Sequence, residues 1–260
     1  MNTISLITDF GLSDNFAGVM KGVILNINPD AKIVDICHEV KPQDIFEAAF
    51  LLKGSFRYFP SGTVHLVVVD PGVGSERSKI LVKTKKYFFV GPDNGVLSLA
   101  LKEEPPIKII EITNRKYFLR PVSDTFHGRD IFAPVAAYLS CGLDIDEFGN
   151  PIKSIQPLEL PKIKKTEKSL SGEIIYIDRF GNLVSNIDQD TFKNFTKNKK
   201  FKIYIKDKII DKLSHSYTEE HPLKPLAIMD SFHYLEIALN SGSAKDYLGI
   251  NRAEKVVIQR

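Results

Sequence analysis

The first half of the chain alternates short apolar runs with apolar positions at helical spacing. The run Val64–Val69 is apolar at nearly every position, which is typical of a strand that is buried on both faces. Strands that alternate with helices predict an α/β domain with a largely parallel sheet. The predicted strands are Ile4–Thr8, Ile33–Ile36, Val64–Val69, Ile80–Thr84, Tyr87–Val90 and Ile107–Ile112, and the predicted helices are Phe16–Ile27, Ile45–Phe56 and Asp130–Leu139.

The pattern changes after Pro151. The segment from Ile152 to Lys168 has no clear periodicity and contains prolines and lysines, which predicts a linker. Short strand-like runs separated by turn residues follow it, and they favour a small barrel or sandwich. The predicted division is therefore an α/β domain over residues 1–151, a linker over 152–168 and a smaller all-β domain over 169–260. The strands predicted in the second half are Gly172–Ile177, Leu183–Ile187, Phe201–Ile205, Leu226–Met229, Tyr234–Leu239 and Val256–Ile258.

Composition narrows the class of protein. The 260 residues are 43% hydrophobic and 26% charged with a formal net charge of +3, which is ordinary for a globular protein and too weak to require a nucleic-acid partner. Only Cys37 and Cys141 are present, which indicates a reducing compartment rather than a disulfide framework. We find no signal-peptide pattern and no apolar run of roughly 18 residues, so the sequence predicts a cytoplasmic protein with no membrane span.

Two acids follow predicted strands of the first domain. Asp9 follows the first strand in Thr8-Asp9-Phe10-Gly11, and Asp70 follows the very apolar strand in Asp70-Pro71-Gly72-Val73-Gly74. Ligands of open α/β sheets bind beyond the carboxyl ends of the strands, so both acids are candidates for a site. Asp-Pro-Gly is also simply a good turn sequence, and either acid alone is as well explained by a turn.

Arg77 and His127 are the next candidates. Arg77 lies a short loop beyond Asp70 and would hold that carboxylate ionised, although a surface ion pair is the simpler interpretation. His127 stands just before a predicted helix, and the neighbouring Gly128 suggests space beside the imidazole. Histidine is the usual proton-transfer side chain near neutral pH, but a histidine in this position is often only a cap or a surface group.

The second domain offers weaker candidates. The sequence Asp178-Arg179-Phe180-Gly181-Asn182 lies between two predicted strands, and Ser231 lies in another turn. A hairpin loop with Asp, Gly and Asn requires no function. Local physical chemistry alone therefore does not select these residues.

Two other patterns are better explained by structure. Lysines interleaved with phenylalanines between Phe192 and Lys202 resemble a nucleic-acid patch, but a solvated loop beside a lysine-guarded strand edge explains them. A metal site could be imagined from Asp9, Asp14, His38, His65 and Asp70, yet these lack a tight ligand spacing. The sequence has no Gly-x-Gly-x-x-Gly run and no P-loop.

Four segments, taken together, resemble the signature stretches of the S-adenosyl-L-methionine hydroxide adenosyltransferases, which are related to fluorinating and chlorinating enzymes that act on the same substrate. The segments occur in the family's order and cover both halves of the chain. They are Thr8–Gly11 with Met20–Gly22, Gly62–Ser75, Phe126–Asp130 and Ile177–Leu183.

The resemblance implies a fold, an assembly and a reaction. It implies a three-layer N-terminal α/β domain, a C-terminal β-barrel and a homotrimer that binds S-adenosyl-L-methionine between subunits and splits it with water into adenosine and L-methionine. Under this resemblance Asp9 holds the ribose hydroxyls, while Asp70, Arg77 and His127 position and activate the water. Asp178 and Ser231 match positions that hold the methionine amino and carboxylate groups, and Phe180 and Asn182 match positions near the adenosine. The reaction implied needs no metal and no cofactor, because the leaving thioether is neutral.

Some positions depart from the halogenating relatives. Those enzymes have Tyr in place of Asp70, and a carboxylate there would repel a halide, which favours hydrolysis. The fluorinating relatives also have Ser at Gly128, Trp at Gln43 and Arg at Phe232. Three alternatives remain at this stage: a halide-using enzyme of the same fold, a metal-dependent phosphoester hydrolase, and a non-enzymatic binder of adenosine or nucleic acid.

Overall fold

The computed structural model describes residues 3–197 and 199–260, so the first two residues of the predicted α/β domain and Asn198 lie outside the described residues. The chain divides into two compact units, Met1–Leu158 and Glu159–Arg260. This division lies within the segment 152–168 that the sequence suggests as a linker. None of the helices in the described part of the chain is long and apolar enough to cross a membrane.

The first unit is built on a seven-stranded mixed sheet. Its strands are β1 (Thr3–Thr8), β2 (Lys32–Cys37), β3 (Val64–Val68), β4 (Lys79–Thr84), β5 (Phe88–Pro92), β6 (Pro106–Ile112) and β7 (Gly149–Pro151). They lie in the order β2-β1-β3-β5-β4-β6-β7. An α/β fold is therefore confirmed for this half of the chain.

The prediction of a largely parallel sheet was wrong for half of this sheet. The pairs β1–β2, β1–β3 and β3–β5 are parallel, whereas β4–β5, β4–β6 and β6–β7 are antiparallel. The reason is the connection between β4 and β5, where three residues, Lys85 to Tyr87, join Thr84 to Phe88. A link this short can only form a hairpin, because parallel strands need a crossover of a dozen or more residues.

Helices cover both faces of the sheet. They are α1 (Phe16–Ile27), α2 (Ile45–Ser55), α3 (Ser98–Glu103) and α4 (Ala133–Ser140). Side chains alternate across β3, so that Leu66 packs into the cluster that contains residues of α1 and α4, while Val67 packs into the cluster that contains residues of α2 and α3. Both side chains are fully buried, and burying each contributes about 1.5–3 kcal/mol. This burial on both faces fixes the position of the carboxyl end of β3.

A single turn of π-helix, Gly128–Phe132, runs directly into α4. The sequence predicts one regular helix from Asp130 onward, and the structure replaces its first turn with this wider one. π-helical turns are rare and frequently occur at functional sites. Here the turn begins immediately after His127.

The second unit is a nearly closed, barrel-like sheet. Its strands are β8 (Lys164–Lys165), β9 (Ser169–Ile177), β10 (Leu183–Asp188), β11 (Lys202–Ile205), β12 (Lys208–Ile210), β13 (Pro225–Met229), β14 (Tyr234–Leu239) and β15 (Lys255–Gln259). They lie in the order β12-β11-β15-β9-β10-β14-β13, with β8 beside β9, and a bridge between Ser214 and Ile228 joins the chain after β12 to β13. The six strands predicted from the sequence are present. The short strands β8 and β12 and the helices α5 (Gln189–Thr196) and α6 (Ala244–Leu248) were not predicted.

Candidate active site

The first candidate cavity lies at the carboxyl ends of β1 and β3. These strands are neighbours and parallel, so the residues that follow them, Asp9 and Asp70, reach the same edge of the sheet. The cavity has a volume of about 410 Å³. It is lined by Asp9, Phe10, Phe16, Pro42, Gln43, Val68, Asp70, Pro71, Val73, Thr125, Phe126, His127 and Gly128. Three of the sequence-predicted site residues, Asp9, Asp70 and His127, therefore share one cavity.

Asp70 and Arg77 form a bidentate ion pair. Arg77 Nε donates to Asp70 Oδ1 at 2.7 Å, and Arg77 Nη2 donates to Asp70 Oδ2. Only 6% of the Asp70 side chain and 10% of the Arg77 side chain are exposed, so this is not the surface pair that the simpler interpretation of the sequence allowed. A planar guanidinium that binds both carboxylate oxygens fixes the orientation of the carboxylate as well as its position.

Arg77 also contacts His127, at 3.0 Å between Nη2 and Nδ1. A guanidinium has no acceptor, so Nδ1 must accept this hydrogen bond and the ring proton of the neutral imidazole must lie on Nε2. Burial, followed by Arg77 and Lys79, lowers the pKa of His127, while Asp70 and Asp124 oppose that shift. The imidazole is therefore neutral at pH 7, in a single defined tautomer.

The arrangement places Arg77 between the two groups that the sequence suggests as proton acceptors. Within the described part of the chain, Asp70 and His127 share no hydrogen bond, and both instead bond to the same guanidinium. In this tautomer the carboxylate of Asp70 accepts protons, while Nε2 of His127 donates. The sequence pointed to all three residues, but it did not show that Arg77 bonds to both of the others.

Asp9 is held by the backbone of a strained residue. Gln43 N donates to Asp9 Oδ2 at 2.8 Å, and Gln43 has a φ of 67°, which lies in the left-handed region that side-chain-bearing residues rarely adopt. Such conformations cluster at functional sites and cost about 1–3 kcal/mol. Among the described residues the second oxygen, Oδ1, has no hydrogen-bond partner. One oxygen of Asp9 is thus anchored and the other can bind a ligand.

Three phenylalanine rings form one wall of this cavity. The ring centroid of Phe10 lies 5.7 Å from that of Phe16 and 5.6 Å from that of Phe126. The centroids of Phe16 and Phe126 are 5.2 Å apart. Phe16 is 42% exposed, so part of this aromatic surface is open. Faces of aromatic rings attract cations. Sequence reasoning used Phe10 and Phe126 only as parts of motifs, and it assigned Phe16 to a helical core stripe.

Two glycines bring the loops of this site together. Gly74 has a φ of 78°, and a Cβ there would lie 2.5 Å from the carbonyl oxygen of Asp124, so only glycine lets the loop after Asp70 meet the loop before His127. A Cβ on Gly128 would lie 3.2 Å from both Met20 Sδ and a ring carbon of Phe126. A side chain at position 128 would therefore press on these neighbours, while His127 and Gly128 both line the cavity.

The second unit contains a separate cavity of about 580 Å³. Asp178 lies in the turn between β9 and β10, and its Oδ1 accepts hydrogen bonds from the backbone N–H groups of Phe180 and Asn182 at 2.8 Å each. Phe180 is 76% exposed, which is unusual for a large apolar side chain. The lining comprises Asp178, Phe180, Asn182, Tyr217, Leu239, Ser241 and Gly242. Ser231 lies outside this lining, exposed in the turn between β13 and β14.

A buried acid lies close to this second cavity. Tyr217, which lines it, donates its hydroxyl to Glu236 Oε1 at 3.0 Å. Burial, with a smaller contribution from the charges of Asp230 and Asp178, raises the pKa of Glu236 to about 7, although the hydrogen bond from Tyr217 acts to lower it. Sequence reasoning missed this residue because it treated β14 as an apolar strand. The signal that could have revealed it is a lone glutamate inside the run Tyr234–Leu239.

The two histidines suggested for a metal site bond to side-chain hydroxyl groups instead. His65 is fully buried, its Nδ1 lies 2.6 Å from Ser5 Oγ, and burial lowers its pKa to about 3. His38 Nδ1 lies 2.8 Å from Thr8 Oγ1. Within residues 3–197 and 199–260, no group of three or more His, Cys, Asp or Glu side chains is arranged to hold a metal ion.

Known proteins resemble this chain over most or nearly all of its length. An (R)-S-adenosyl-L-methionine hydrolase from Methanocaldococcus jannaschii is 39% identical, with 99% of this chain and 96% of that protein covered. A fluorinase from Actinoplanes sp. is 28% identical over 71% of each chain. The crystal structure of an uncharacterized conserved protein from Thermotoga maritima superposes with a TM-score of 0.92 at 38% identity, covering 99% of this chain and 100% of that one.

Two family descriptions match the two halves separately. The SAM hydroxide adenosyltransferase N-terminal domain matches residues 4–149, and the C-terminal domain of the same family matches residues 172–257. The resemblance inferred from four motifs is thereby confirmed. The chain belongs to the SAM hydroxide adenosyltransferase family.

Proposed function

We propose that this protein is a hydrolase that converts S-adenosyl-L-methionine and water to adenosine and L-methionine. The observation that carries the proposal is the carboxylate of Asp70, which Arg77 holds at the edge of the 410 Å³ cavity beside a neutral His127. Relatives that cover nearly the whole chain at 30–39% identity are named as hydrolases of this substrate. A halide-using activity is less favoured, because a carboxylate at this place repels anions.

The reaction is a displacement at the 5′ carbon of the ribose. An oxygen lone pair of water forms the new bond to C5′, the C5′–S bond breaks, and its electron pair leaves on sulfur as a neutral thioether. The attacking water must also lose one proton. The sulfonium is already an excellent leaving group, so the enzyme's main contributions are to align the water and to accept its proton.

The three bonded residues divide that work. Asp70 accepts the hydrogen bond and then the proton of the water, and proton transfer of this kind contributes about 10²–10⁴-fold. Arg77 orients the carboxylate through both of its oxygens. His127, with its proton on Nε2, donates to the water oxygen and so fixes which lone pair faces C5′. A neutral imidazole also adds no repulsion toward the cationic sulfonium.

The remaining predicted residues bind the substrate. Asp9 has a free carboxylate oxygen for the ribose hydroxyls, and the Phe10–Phe16–Phe126 wall suits the sulfonium cation. The second unit supplies Asp178 and Ser231 for the methionine end, with Phe180 and Asn182 for the adenosine. We propose a homotrimer in which each substrate contacts the first unit of one subunit and the second unit of its neighbour, and in which these units are the family's three-layer and β-barrel domains. Sedimentation that shows a fully active monomer would exclude this assembly.

Further features of the function are also proposals. The curated hydrolase relatives are named for the (R) configuration, so we propose that this protein prefers the (R)-sulfonium epimer. It needs no metal and no cofactor, since the departing thioether requires no Lewis acid. It acts in the cytoplasm, where its substrate would be found and where Cys37 and Cys141 would stay reduced.

Product analysis tests this function. Purified protein is incubated with each sulfonium epimer, with and without EDTA, and with chloride at high concentration, and the products are separated by chromatography. We expect adenosine and methionine in every case, formed faster from the (R) epimer. Loss of activity with EDTA that only a divalent metal restores would favour a metallohydrolase, and a 5′-chlorinated nucleoside would favour the halide-using alternative.

A further inference from the structure

A second cavity of the first unit is also lined by His127. It has a volume of about 760 Å³, within the range of small-molecule sites. Only His127 lines both this cavity and the 410 Å³ cavity among the residues that line them in the described chain. The titratable residues of the lining are Lys79, Arg115, Arg120, Asp124 and His127.

The charge of this cavity is positive and largely unbalanced. Lys79, Arg115 and Arg120 line it against one acid, Asp124. Among residues 3–197 and 199–260, no carboxylate oxygen lies within 4.0 Å of a side-chain nitrogen of these three cations. Basic side chains that point into a cavity without partners repel one another, and an anion between them would remove that repulsion.

Lys79 gives a second indication of this repulsion. Burial lowers its pKa, and the charges of Arg77 and Arg115 lower it further, against the opposing charges of Glu111 and Asp70. The nearest acid on the neighbouring strand, Glu111, accepts a hydrogen bond from Ser78 Oγ at 2.7 Å instead of pairing with the lysine. Among the described residues, the partly buried Lys79 thus lies near Arg77 and Arg115 and forms no ion pair of its own.

We propose that this cavity binds a small polyanion, a molecule that carries two or more phosphate or carboxylate groups. The substrate carries a net positive charge, so this basic cavity suits a polyanion better than it suits the substrate. Arginines bind the planar oxygens of such groups in bidentate fashion, and Lys79 adds a point charge at the inner end. The polyanion site shares His127 with the catalytic cavity.

The shared histidine gives the ligand an effect on catalysis, a consequence that rests on the proposed function. The charged groups that face His127 are Arg77, Asp70, Lys79 and Asp124, and the cations dominate. An anion bound beside Lys79 screens the cations and raises the pKa of His127. Imidazolium formation breaks the hydrogen bond from Arg77 to Nδ1 and adds a positive charge beside the sulfonium. The bound polyanion thus inhibits, and more strongly at pH 6 than at pH 8.

Calorimetric titration of the intact protein with inorganic pyrophosphate, without substrate and at constant ionic strength, tests the site. We expect one pyrophosphate per chain, and a loss of at least ten-fold in affinity in the double variant Arg115→Met/Arg120→Met. Lys116→Met is the matched control, because it removes a neighbouring positive charge that does not line the cavity. Absence of binding, or equal weakening in the control and the double variant, would overturn the proposal.

The coupling to His127 has its own measurement. The imidazole C–H resonance of His127, assigned by its loss in His127→Gln, is titrated with acid in the presence and absence of pyrophosphate. We expect pyrophosphate to raise this titration midpoint in the wild-type protein and to leave it unchanged in the double variant. If pyrophosphate binds but leaves the titration midpoint of His127 unchanged, the proposal that the bound anion acts on His127 is wrong. Because neither readout uses S-adenosyl-L-methionine, failure of the proposed hydrolysis would not be mistaken for failure of this site.

Discussion

The two units each present an acid in a turn that follows a strand, but the two acids use their oxygens differently. In the first unit both oxygens of Asp70 bond to the side chain of Arg77, seven residues further along the chain. In the second unit Oδ1 of Asp178 bonds to the backbone of its own turn, and Oδ2 accepts from the Asn182 side chain at 2.8 Å. An acid placed just after a strand is therefore part of a linked set of ionisable side chains in one unit and of a hydrogen-bonded loop in the other.

This difference separates chemistry from binding. The network around Asp70 controls a charge and a proton, so we expect changes there to alter the rate of the chemical step. The loop around Asp178 controls the position of an exposed aromatic ring, so changes there should alter affinity. Variants in the two units should consequently give opposite kinetic patterns, and a shared pattern would contradict the comparison.

Asp70→Asn should produce the largest effect. The amide keeps the size of the side chain but loses the negative charge and the basicity, so we expect kcat to fall by about 10²–10⁴-fold with KM little changed. Asp9→Asn is the control within the same cavity, and it should raise KM more than it lowers kcat. Wild-type turnover by a folded Asp70→Asn protein would show that the water lies elsewhere.

His127→Ala belongs to the same experiment, because Arg77 joins the two residues. We expect the double variant with Asp70→Asn to lose less than the product of the two single losses, as groups that act as a unit do. Melting temperatures measured on the same preparations separate catalytic loss from unfolding. Strict multiplication of the two losses would mean that the residues act independently.

Glu236→Gln should change the pH dependence of stability. The pKa of Glu236 is raised from 4.5 to about 7 by burial, so below about pH 4.5 both folded and unfolded chains hold the proton. As pH rises from there to 7 only the unfolded chain releases it, and wild-type stability falls by up to about 3 kcal/mol. Glutamine cannot release a proton. The melting temperature of Glu236→Gln relative to that of the wild type should therefore rise as the pH increases from about 4.5 to 7.

Tyr217→Phe sharpens the same test. It removes the donor that stabilises the ionised carboxylate, so the pH range over which stability falls should extend above pH 7. Identical pH profiles in wild type, Glu236→Gln and Tyr217→Phe would contradict a buried, titrating acid beside this cavity.

Phe180→Ala should produce the smallest of these effects. The ring is 76% exposed and touches little in its own unit, so its removal should leave the fold intact. If it packs on the adenosine, its loss should raise KM by about 2–13-fold, which corresponds to an aromatic contact of about 0.5–1.5 kcal/mol, with kcat nearly unchanged. Ile209→Ala, another exposed apolar residue of the second unit, is the control and should change neither constant.

Sequence patterns predicted much of the fold, and they singled out Asp9, Asp70 and His127, which the fold brings to one cavity. Apolar periodicity follows burial, so the strands that precede Asp9 and Asp70 could be located from the sequence. Parallel pairing of these two strands places their carboxyl ends, and hence the two acids, at the same edge of the sheet. Strand direction leaves no trace in periodicity, so the antiparallel half of the sheet was missed. The hairpin could have been recognised from the short connection Thr84–Phe88 alone.

Contacts between side chains far apart in sequence were beyond prediction. Arg77 and His127 are 50 positions apart, and only the folded loops around Gly74 bring them to 3.0 Å. The positive cavity draws Lys79 from a strand and Arg115 and Arg120 from a later segment, none of which forms a motif. The roles of Asp178 and Ser231 as ligands of the methionine end likewise remain predictions.

The most direct test of the account is the fate of the water oxygen. Purified protein is incubated with S-adenosyl-L-methionine in water enriched in ¹⁸O, and the masses of the two products are measured by mass spectrometry. The account predicts adenosine that carries a single ¹⁸O atom at its 5′ oxygen, together with unlabelled methionine. Release of free adenine, or of a nucleoside without ¹⁸O, would contradict attack by water at the 5′ carbon.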